Sequence, residues 1–296
     1  MAKTDITQTF QIEGMDVRGR LVRLGPELAK IIGAHDYPDA VAELLSETLT
    51  LGAVLASALK YDGLFTLQVQ SDGPISLLVA DITSDGHMRG YARYDEERLL
   101  EAMKSDTATV PRLLGAGHLA FTVDQGADME RYQGITALEG ATLAECAQHY
   151  FRNSEQLETA IFISANVTDD SAKAGALMVQ RMPQQTVTDD AEAEDGWRRA
   201  VAILASLTAA ELLDEDLDHD TLLYRLYHED GVRAYEPNPL LSKCRCSREK
   251  VVTTLKSFPR DEIIGDDGYA RVECEFCKTN YDVSPSDLDA LYPPVN

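Results

Sequence analysis

Cys244-Arg245-Cys246 and Cys274-Glu275-Phe276-Cys277 put four of the chain's five cysteines inside 34 residues. Thiols clustered this tightly need a common partner, either a soft metal or one another. C-x-C plus C-x-x-C supplies four thiolates, the set that a closed structural zinc site takes. No histidine lies between residues 241 and 296, so a mixed Cys/His site within that stretch is excluded. With sulfur at all four positions no place is left for a bound water, which argues against hydrolytic zinc catalysis. An iron–sulfur cluster accepts the same four ligands. Zinc is the preferred reading, with Cys244, Cys246, Cys274 and Cys277 as ligands to one ion per chain.

The single residue between Cys244 and Cys246 holds two thiolates unusually close in sequence. Zinc keeps its cysteines deprotonated, and the thiolate is the form that oxidants attack. Lys243, Arg245, Arg248 and Lys250 favour thiolates at the first pair further. Oxidised sulfur no longer ligates, so such a site is a metal clamp that an oxidant can open. The competing reading is an inert zinc ribbon.

Other chemistry is sparse. Gly115-Ala116-Gly117 is not a dinucleotide fingerprint, because it falls in an expected strand–turn–strand, and no G-x-x-x-x-G-K-[ST] occurs. His35-Asp36, His118 and His228-Glu229 come with no nucleophile elbow or H-E-x-x-H, and read as capping or surface residues. Cys146, alone on a helical pattern, reads as a small buried side chain. Nothing indicates ATP use or an enzyme.

Hydrophobic residues make up 44% of the 296, ample for a buried core, and the formal net charge is −23. That charge argues against nucleic-acid partners, whose non-specific affinity comes from Lys and Arg neutralising phosphates, and against an anionic membrane surface. The first residues, MAKTDITQTFQIEG, contain no apolar signal region, and no run approaches ~18 apolar residues. The cytoplasm follows as the default, and there clustered cysteines bind metal or do redox chemistry rather than form structural disulfides.

The elements that must position the cysteines fall into three stretches. Residues 1–183 read as one α+β domain, a mostly antiparallel sheet with packed helices. A strand is expected over 15–24, then a long helix over 38–60 with Val41, Leu44, Leu45, Leu49 and Leu51 at helical spacing. The period then switches to two at Phe65, Leu67 and Val69. Strands over 75–80, 88–94 and 119–123 continue a meander with short turns and no long crossovers. A helix over 142–152 and strands near 159–167 and 176–182 close the domain.

Residues 184–240 carry 14 Asp or Glu against four Arg and no Lys, with apolar residues embedded at helical spacing. Trp197, Val201 and Leu204 share a face, and Leu212, Leu213, Leu217, Leu222, Leu223 and Leu226 follow between acidic breaks. Short amphipathic helices of like charge fold only by docking on something else. Residues 241–296 have few large apolar side chains, mainly Leu255, Phe258, Ile263, Ile264, Tyr269, Phe276 and Tyr281. Cores this small rarely supply more than ~3–5 kcal/mol, whereas structural zinc supplies roughly 10–16 kcal/mol. Metal, not packing, is expected to decide whether this piece folds.

With these motifs assembled, the chain resembles the heat shock protein 33 family of redox-regulated chaperones. The resemblance runs through Val17-Arg18-Gly19, His35-Asp36-Tyr37-Pro38, Lys60-Tyr61-Asp62-Gly63, Gly73-Pro74, Met88-Arg89-Gly90 and Ala92-Arg93. It continues through Glu130-Arg131-Tyr132-Gln133-Gly134, Leu138-Glu139-Gly140, Tyr150-Phe151, Ser154-Glu155-Gln156-Leu157, Met182-Pro183, Leu226-Tyr227-His228-Glu229 and Cys244 to Glu249, then the Cys274/Cys277 pair. It implies three parts: a core domain (1–183), a metastable helical linker folded over it (184–240) and a zinc-binding redox-switch domain (241–296). It further implies a holdase, inactive when reduced and zinc-bound. Oxidation would form disulfides Cys244–Cys246 and Cys274–Cys277, release zinc, unfold the switch and linker, and yield a homodimer that holds unfolded or misfolded client proteins without ATP. The alternative from a different class is a redox-sensing zinc adaptor for one specific protein partner. A zinc-ribbon nucleic-acid factor is made improbable by the charge.

Overall fold

The helix expected over 38–60 runs from Asp39 to Ala56, and 14 of its 18 residues are buried. A helix apolar on every side belongs inside a structure rather than on it, and this one packs against strands of two different sheets. Its Ser46, Thr48 and Thr50 hydroxyls are buried too. Each donates to the carbonyl four residues back, at 2.7 Å, so no polar group is stranded.

The computed structural model describes residues 4–104, 109–126, 129–168, 171–183 and 189–291. The chain divides into two compact units, Met1–Ser242 and Lys243–Asn296. The first unit begins with β1 (Ile6–Ile12), β2 (Val17–Leu24), α1 (Pro26–Ile32) and the central α2 (Asp39–Ala56). The antiparallel β3 (Leu64–Ser71), β4 (Ile75–Thr83) and β5 (His87–Tyr94) follow, then α3 (Glu96–Met103), α4 (Val110–Leu114), β6 (Gly117–Asp124) and β7 (Tyr132–Ala137). Next come α5 (Leu143–Tyr150), a π-helical turn over Phe151–Glu155, β8 (Thr159–Thr168) and β9 (Ser171–Arg181). The acidic segment forms α6 (Asp190–Ser206), α7 (Ala209–Leu213) and α8 (His219–Tyr227), and short strands β10 (Val232–Ala234), β11 (Asn238–Pro239) and β12 (Leu241–Ser242) end the unit.

The strands divide between two six-stranded sheets. One runs β10-β1-β2-β9-β8 with β11 also on β1, and the other runs β12-β5-β4-β3-β6-β7. The described pairings are antiparallel except β12 with β5. The α+β class holds, but the simple meander does not. β5 and β6 lie on opposite sides of β4-β3, so the chain must cross the sheet between them through α3 and α4. That connection is mostly polar and is anchored by Leu99, Leu113 and Leu114, too few apolar residues to announce two helices. β9 also begins earlier than expected. Its first residues include Ala172, Ala174 and Gly175, which lack the β-branched character by which strands are read.

The second sheet alternates as a one-faced sheet should: Phe65, Leu67 and Val69 are buried, while Thr66 and Gln68 are only half-buried. The first sheet is covered on both faces. Along β9, Ala174, Ala176 and Met178 join the core around α2, whereas Leu177 and Val179 join a second core. That second core is completed by the acidic segment: Trp197, Leu204, Leu207, Leu212, Leu217, Leu222, Leu223 and Tyr227 are all buried in it. Gly175 lets the helices come close, since a Cβ there would lie 2.8 Å from Leu212 Cγ.

Each of these helices is capped by its own sequence. Asp189 accepts from the amides of Ala191 and Glu192, Thr208 and Glu211 form a reciprocal capping box, and Asp218 accepts from Thr221. The acidic charge is answered by donors on the sheet. Lys173 pairs with Glu215 at 2.8 Å, Arg181 with Glu194 at 2.9 Å, and the Gln8 amide donates to Asp220 at 2.8 Å. Residues 184–188, the start of the expected linker, lie outside the described residues.

The second unit comprises α9 (Arg248–Leu255), α10 (Arg260–Ile263), the antiparallel pair β13 (Ala270–Glu273) and β14 (Asn280–Val283), and α11 (Pro285–Leu291). Its buried core is Leu255, Ala270, Val283 and Leu288. Phe258, Ile264 and Tyr269, counted from the sequence among its large apolar residues, are exposed. The packing is thinner than the composition suggested.

Candidate metal centre

Cys274 directly follows β13 and Cys277 sits in the turn before β14. The turn is closed by the Cys274 amide donating to the Thr279 carbonyl and the Lys278 amide donating to the Cys274 carbonyl, both at 2.9 Å. Lys278 takes a left-handed φ of 56° to make that reversal. Cys244 and Cys246 lie on the irregular stretch before α9. Ser247 caps α9 by accepting from the Lys250 amide, and the Lys250 ammonium donates to the Arg245 carbonyl at 2.7 Å. The N-terminal end of α9 and the Lys250 ammonium thus stand beside the first pair.

The four sulfurs all lie within 4.8 Å of one another. Cys244 Sγ is 3.7 Å from Cys274 Sγ, and Cys246 Sγ is 3.4 Å from Cys277 Sγ. A tetrahedron with zinc–sulfur bonds of about 2.3 Å has sulfur–sulfur edges of about 3.8 Å. The donor set and its spacing therefore fit a four-coordinate soft metal. None of the four cysteines is in a disulfide, and each is half-buried.

Their surroundings differ. Burial pushes the Cys246 thiol up to about 12, against a hydrogen bond from the Tyr281 hydroxyl to its sulfur at 3.1 Å. Burial also raises Cys274. At Cys277 burial acts upward as well, but hydrogen bonds from Thr279 and from the neighbouring thiols outweigh it and bring the thiol down to about 7. Tyr281 answers its sulfur neighbour by moving up to about 12, because its proton is engaged with Cys246.

The remaining residues with candidate chemistry are not gathered anywhere. His35 stacks on Tyr37 between α1 and α2, His118 lies on β6, and the exposed His228 ring contacts the Tyr224 carbonyl after α8. Cys146 is fully buried in α5 and its thiol is pushed up by burial. Gly115 and Gly117 follow α4 and lead into β6, with the Ala116 amide bound by the Asp72 carboxylate at 2.8 Å. The loop is a turn, reached from a helix rather than from a strand. Two contributors were not legible beforehand: Tyr281, which was counted only as core, and Arg23, whose partners are main-chain carbonyls about 190 residues away. Among the described residues no helix is long and apolar enough to cross a membrane.

Comparison with known proteins agrees with this arrangement. The family model described as Hsp33 protein matches residues 5–284. The 33 kDa chaperonin of Caulobacter vibrioides is 37% identical over 289 residues, covering 95% of each chain. That of Pseudomonas aeruginosa is 38% identical over 296 residues, covering 99% of this chain and 96% of its own. The crystal structure of the 33 kDa chaperonin (heat shock protein 33 homolog) of Thermotoga maritima superposes with a TM-score of 0.79 over 97% of each chain at 24% identity, a likeness of fold. A match across almost the whole chain, together with four cysteines placed to hold a metal ion, means that this chain belongs to the Hsp33 family.

Proposed function

We propose that the chain is a redox-regulated, ATP-independent holdase chaperone. The observation that carries this reading is the apolar outer face of the first sheet, covered by α6–α8, whose charge opposes their own compaction. From α8 the chain runs through β10–β12 into a unit whose core, among the described residues, is four buried apolar side chains. Cys244, Cys246, Cys274 and Cys277 hold one zinc ion. Bound, the ion would tie the hairpin turn to the stretch before α9 and keep the four sulfurs as thiolates.

Oxidation acts on the sulfurs. Within each of the pairs Cys244/Cys246 and Cys274/Cys277, two thiolates form one disulfide and give two electrons to a peroxide. The peroxide takes up two protons and becomes two waters. The disulfide sulfurs carry no thiolate charge, so the ligand set is lost and the four-residue core is left to stabilise the switch domain (241–296) alone. Its unfolding withdraws support from the linker (184–240). The leucines of α6–α8 and the face of the core domain (1–183) they cover then become available to unfolded or misfolded clients. The freed apolar faces also join two chains as a homodimer. The acidic background keeps client complexes soluble. No nucleic acid, membrane or enzymatic turnover enters this scheme, which belongs in the cytoplasm under oxidative stress.

The test is to mix a chemically unfolded model client with the reduced or the peroxide-treated chain at mildly elevated temperature, without nucleotide, and follow light scattering and zinc release. Suppression of scattering after oxidation alone, in step with zinc release, supports the proposal. Equal scattering in both states rejects it and leaves the specific-partner adaptor.

A further inference from the structure

Several motifs that the redox switch does not use converge on one cavity of the first unit, of about 330 Å³. Its floor is a closely packed aromatic cluster. Phe65 and Phe121 stack at 6.1 Å, Phe121 and Phe151 stack at 6.4 Å, and Tyr150 meets Phe121 edge-on at 4.5 Å. Gly134 on β7 closes one side so tightly that a Cβ there would sit 2.5 Å from Phe121 and 2.6 Å from Tyr150. At the mouth is a fixed carboxylate. The hydroxyls of Tyr132 and Tyr150 touch each other at 2.7 Å, and both donate to the same oxygen of Glu155, Oε1.

The backbone is arranged to present that group. Glu155 is the last residue of the π-helical turn, and Gln156 takes a left-handed φ of 55° immediately after it. π-turns widen a helix by one residue and occur disproportionately at functional sites. The two phenol hydrogen bonds hold the carboxylate ionised and orient it, and the residue itself is exposed. A wholly apolar pocket would need no such device.

We propose that this cavity binds an organic cation with an apolar stem, the stem lying against Leu59 and the exposed ring of Tyr132 above the buried Phe65, Phe121 and Phe151, and the charged head meeting Glu155. A cation beside an aromatic ring and an ionised carboxylate is attracted by both. Lys60 also lines the cavity and bears the opposite charge. It is exposed, on a flexible stem whose ammonium can swing into water, whereas the carboxylate is pinned. The fixed charge is the anionic one. This chemistry has two sources: a free amine, or a Lys or Arg side chain of an unfolded polypeptide. The second source rests on the holdase reading and the first does not.

The experiment uses the reduced, zinc-loaded full chain and calorimetric titration with 2-phenylethylammonium, its neutral analogue 2-phenylethanol, and the anion 3-phenylpropionate. The expected result is binding of the cation at least fivefold tighter than the alcohol, and no binding of the anion. E155Q keeps an acceptor for both phenols and is expected to erase the fivefold preference while leaving the alcohol unaffected. K60M is expected to tighten the cation twofold or more. Equal affinity for all three probes, an unchanged preference in E155Q, or loss of cation binding in K60M would overturn the assignment. Competition then separates the sources. Displacement by N-acetyl-Phe-Arg-Phe-amide but not by N-acetyl-Phe-Gln-Phe-amide assigns the polypeptide side chain, and displacement by neither assigns the free amine. Failure of the holdase assay with cation binding intact leaves the site standing.

Discussion

The buried guanidinium of Arg23 on β2 donates to the main-chain carbonyl of Leu217, 194 residues further along the chain. Its other terminal nitrogen donates to the carbonyl of Glu211 at 3.0 Å. Burial lowers the pKa of this group, and Asp214 and Asp218 act in the opposite direction. One side chain of β2 thus ties down both α7 and the loop that joins it to α8. Main-chain carbonyls are insensitive to the identity of the residue that carries them, so this tie is independent of the leucines around it.

Arg23→Met is therefore expected to loosen the acidic helices specifically. Hydrogen bonds from a charged donor contribute about 1.5–3 kcal/mol each, so losing both should weaken docking by about 3–6 kcal/mol. In the reduced, zinc-loaded protein, limited proteolysis should cut within 190–240 at least tenfold faster, and scattering of an unfolding client should fall without peroxide. Gly175→Val reaches the same outcome by another route, because its side chain occupies the position of Leu212. If both variants stay protease-resistant and inactive until oxidised, docking of α6–α8 is not what restrains activity.

Replacing Cys274 by Ser removes one of four ligands from a unit whose packing core is Leu255, Ala270, Val283 and Leu288. Zinc per chain should drop well below one, and amide exchange across 243–291 should rise to that of an unfolded segment while the strands of the first unit keep their protection. Chelator treatment of the unaltered chain should reproduce the effect, since binding free energy of roughly 10–16 kcal/mol is lost in either case. Zinc content remaining at one per chain in the variant would show that the ligand set is wrong.

What the sequence disclosed follows from which signals are local. The four cysteines, the apolar periodicity of α2 and the alternation of β3 were readable because spacing alone carries them. β1 was missed although Ile6, Phe10 and Ile12 alternate as a strand should, because its intervening Thr and Gln residues resemble a polar leader. The crossover between β5 and β6 was hidden by its polarity. Two sheets could not be told from one, since pairing partners are set by tertiary packing. At the metal centre the ligands were legible and their environment was not: the Tyr281–Cys246 contact joins residues 35 apart whose proximity depends on the β13–β14 hairpin. The cluster of Tyr132, Tyr150 and Glu155 likewise exists only once the π-turn has formed.

Glu47 gives the first unit a pH dependence of defined sign. Its carboxyl lies on the central helix α2, and burial, with added repulsion from Glu43, pushes it up to about 7. The folded chain therefore holds a proton that the unfolded chain, at the ordinary value of 4.5, has released. Stability contributed by this group is present below about pH 4.5, declines as pH rises toward 7, and is lost above it. Glu47→Gln removes the titration. Denaturant midpoints of the variant and the unaltered chain should converge at pH 5, and the variant should be the more stable at pH 8. A difference that is constant from pH 5 to pH 8 would show that Glu47 does not titrate in this range.

Tyr281 sets how readily the first cysteine pair reacts. Its hydroxyl donates to Cys246 Sγ at 3.1 Å and draws charge from that sulfur. A thiolate stripped of a hydrogen bond is a better nucleophile and a less stable anion, so oxidation accelerates even though ligation weakens. Tyr281→Phe keeps the ring and deletes the donor. Zinc release from the reduced chain, followed with a chromogenic chelator, should be roughly threefold or more faster at a fixed peroxide concentration. Release without peroxide should change less than the peroxide-driven rate, which separates a reactivity effect from simple unfolding of the unit. Equal acceleration with and without peroxide would place Tyr281 in the packing of the hairpin rather than in control of the thiolate.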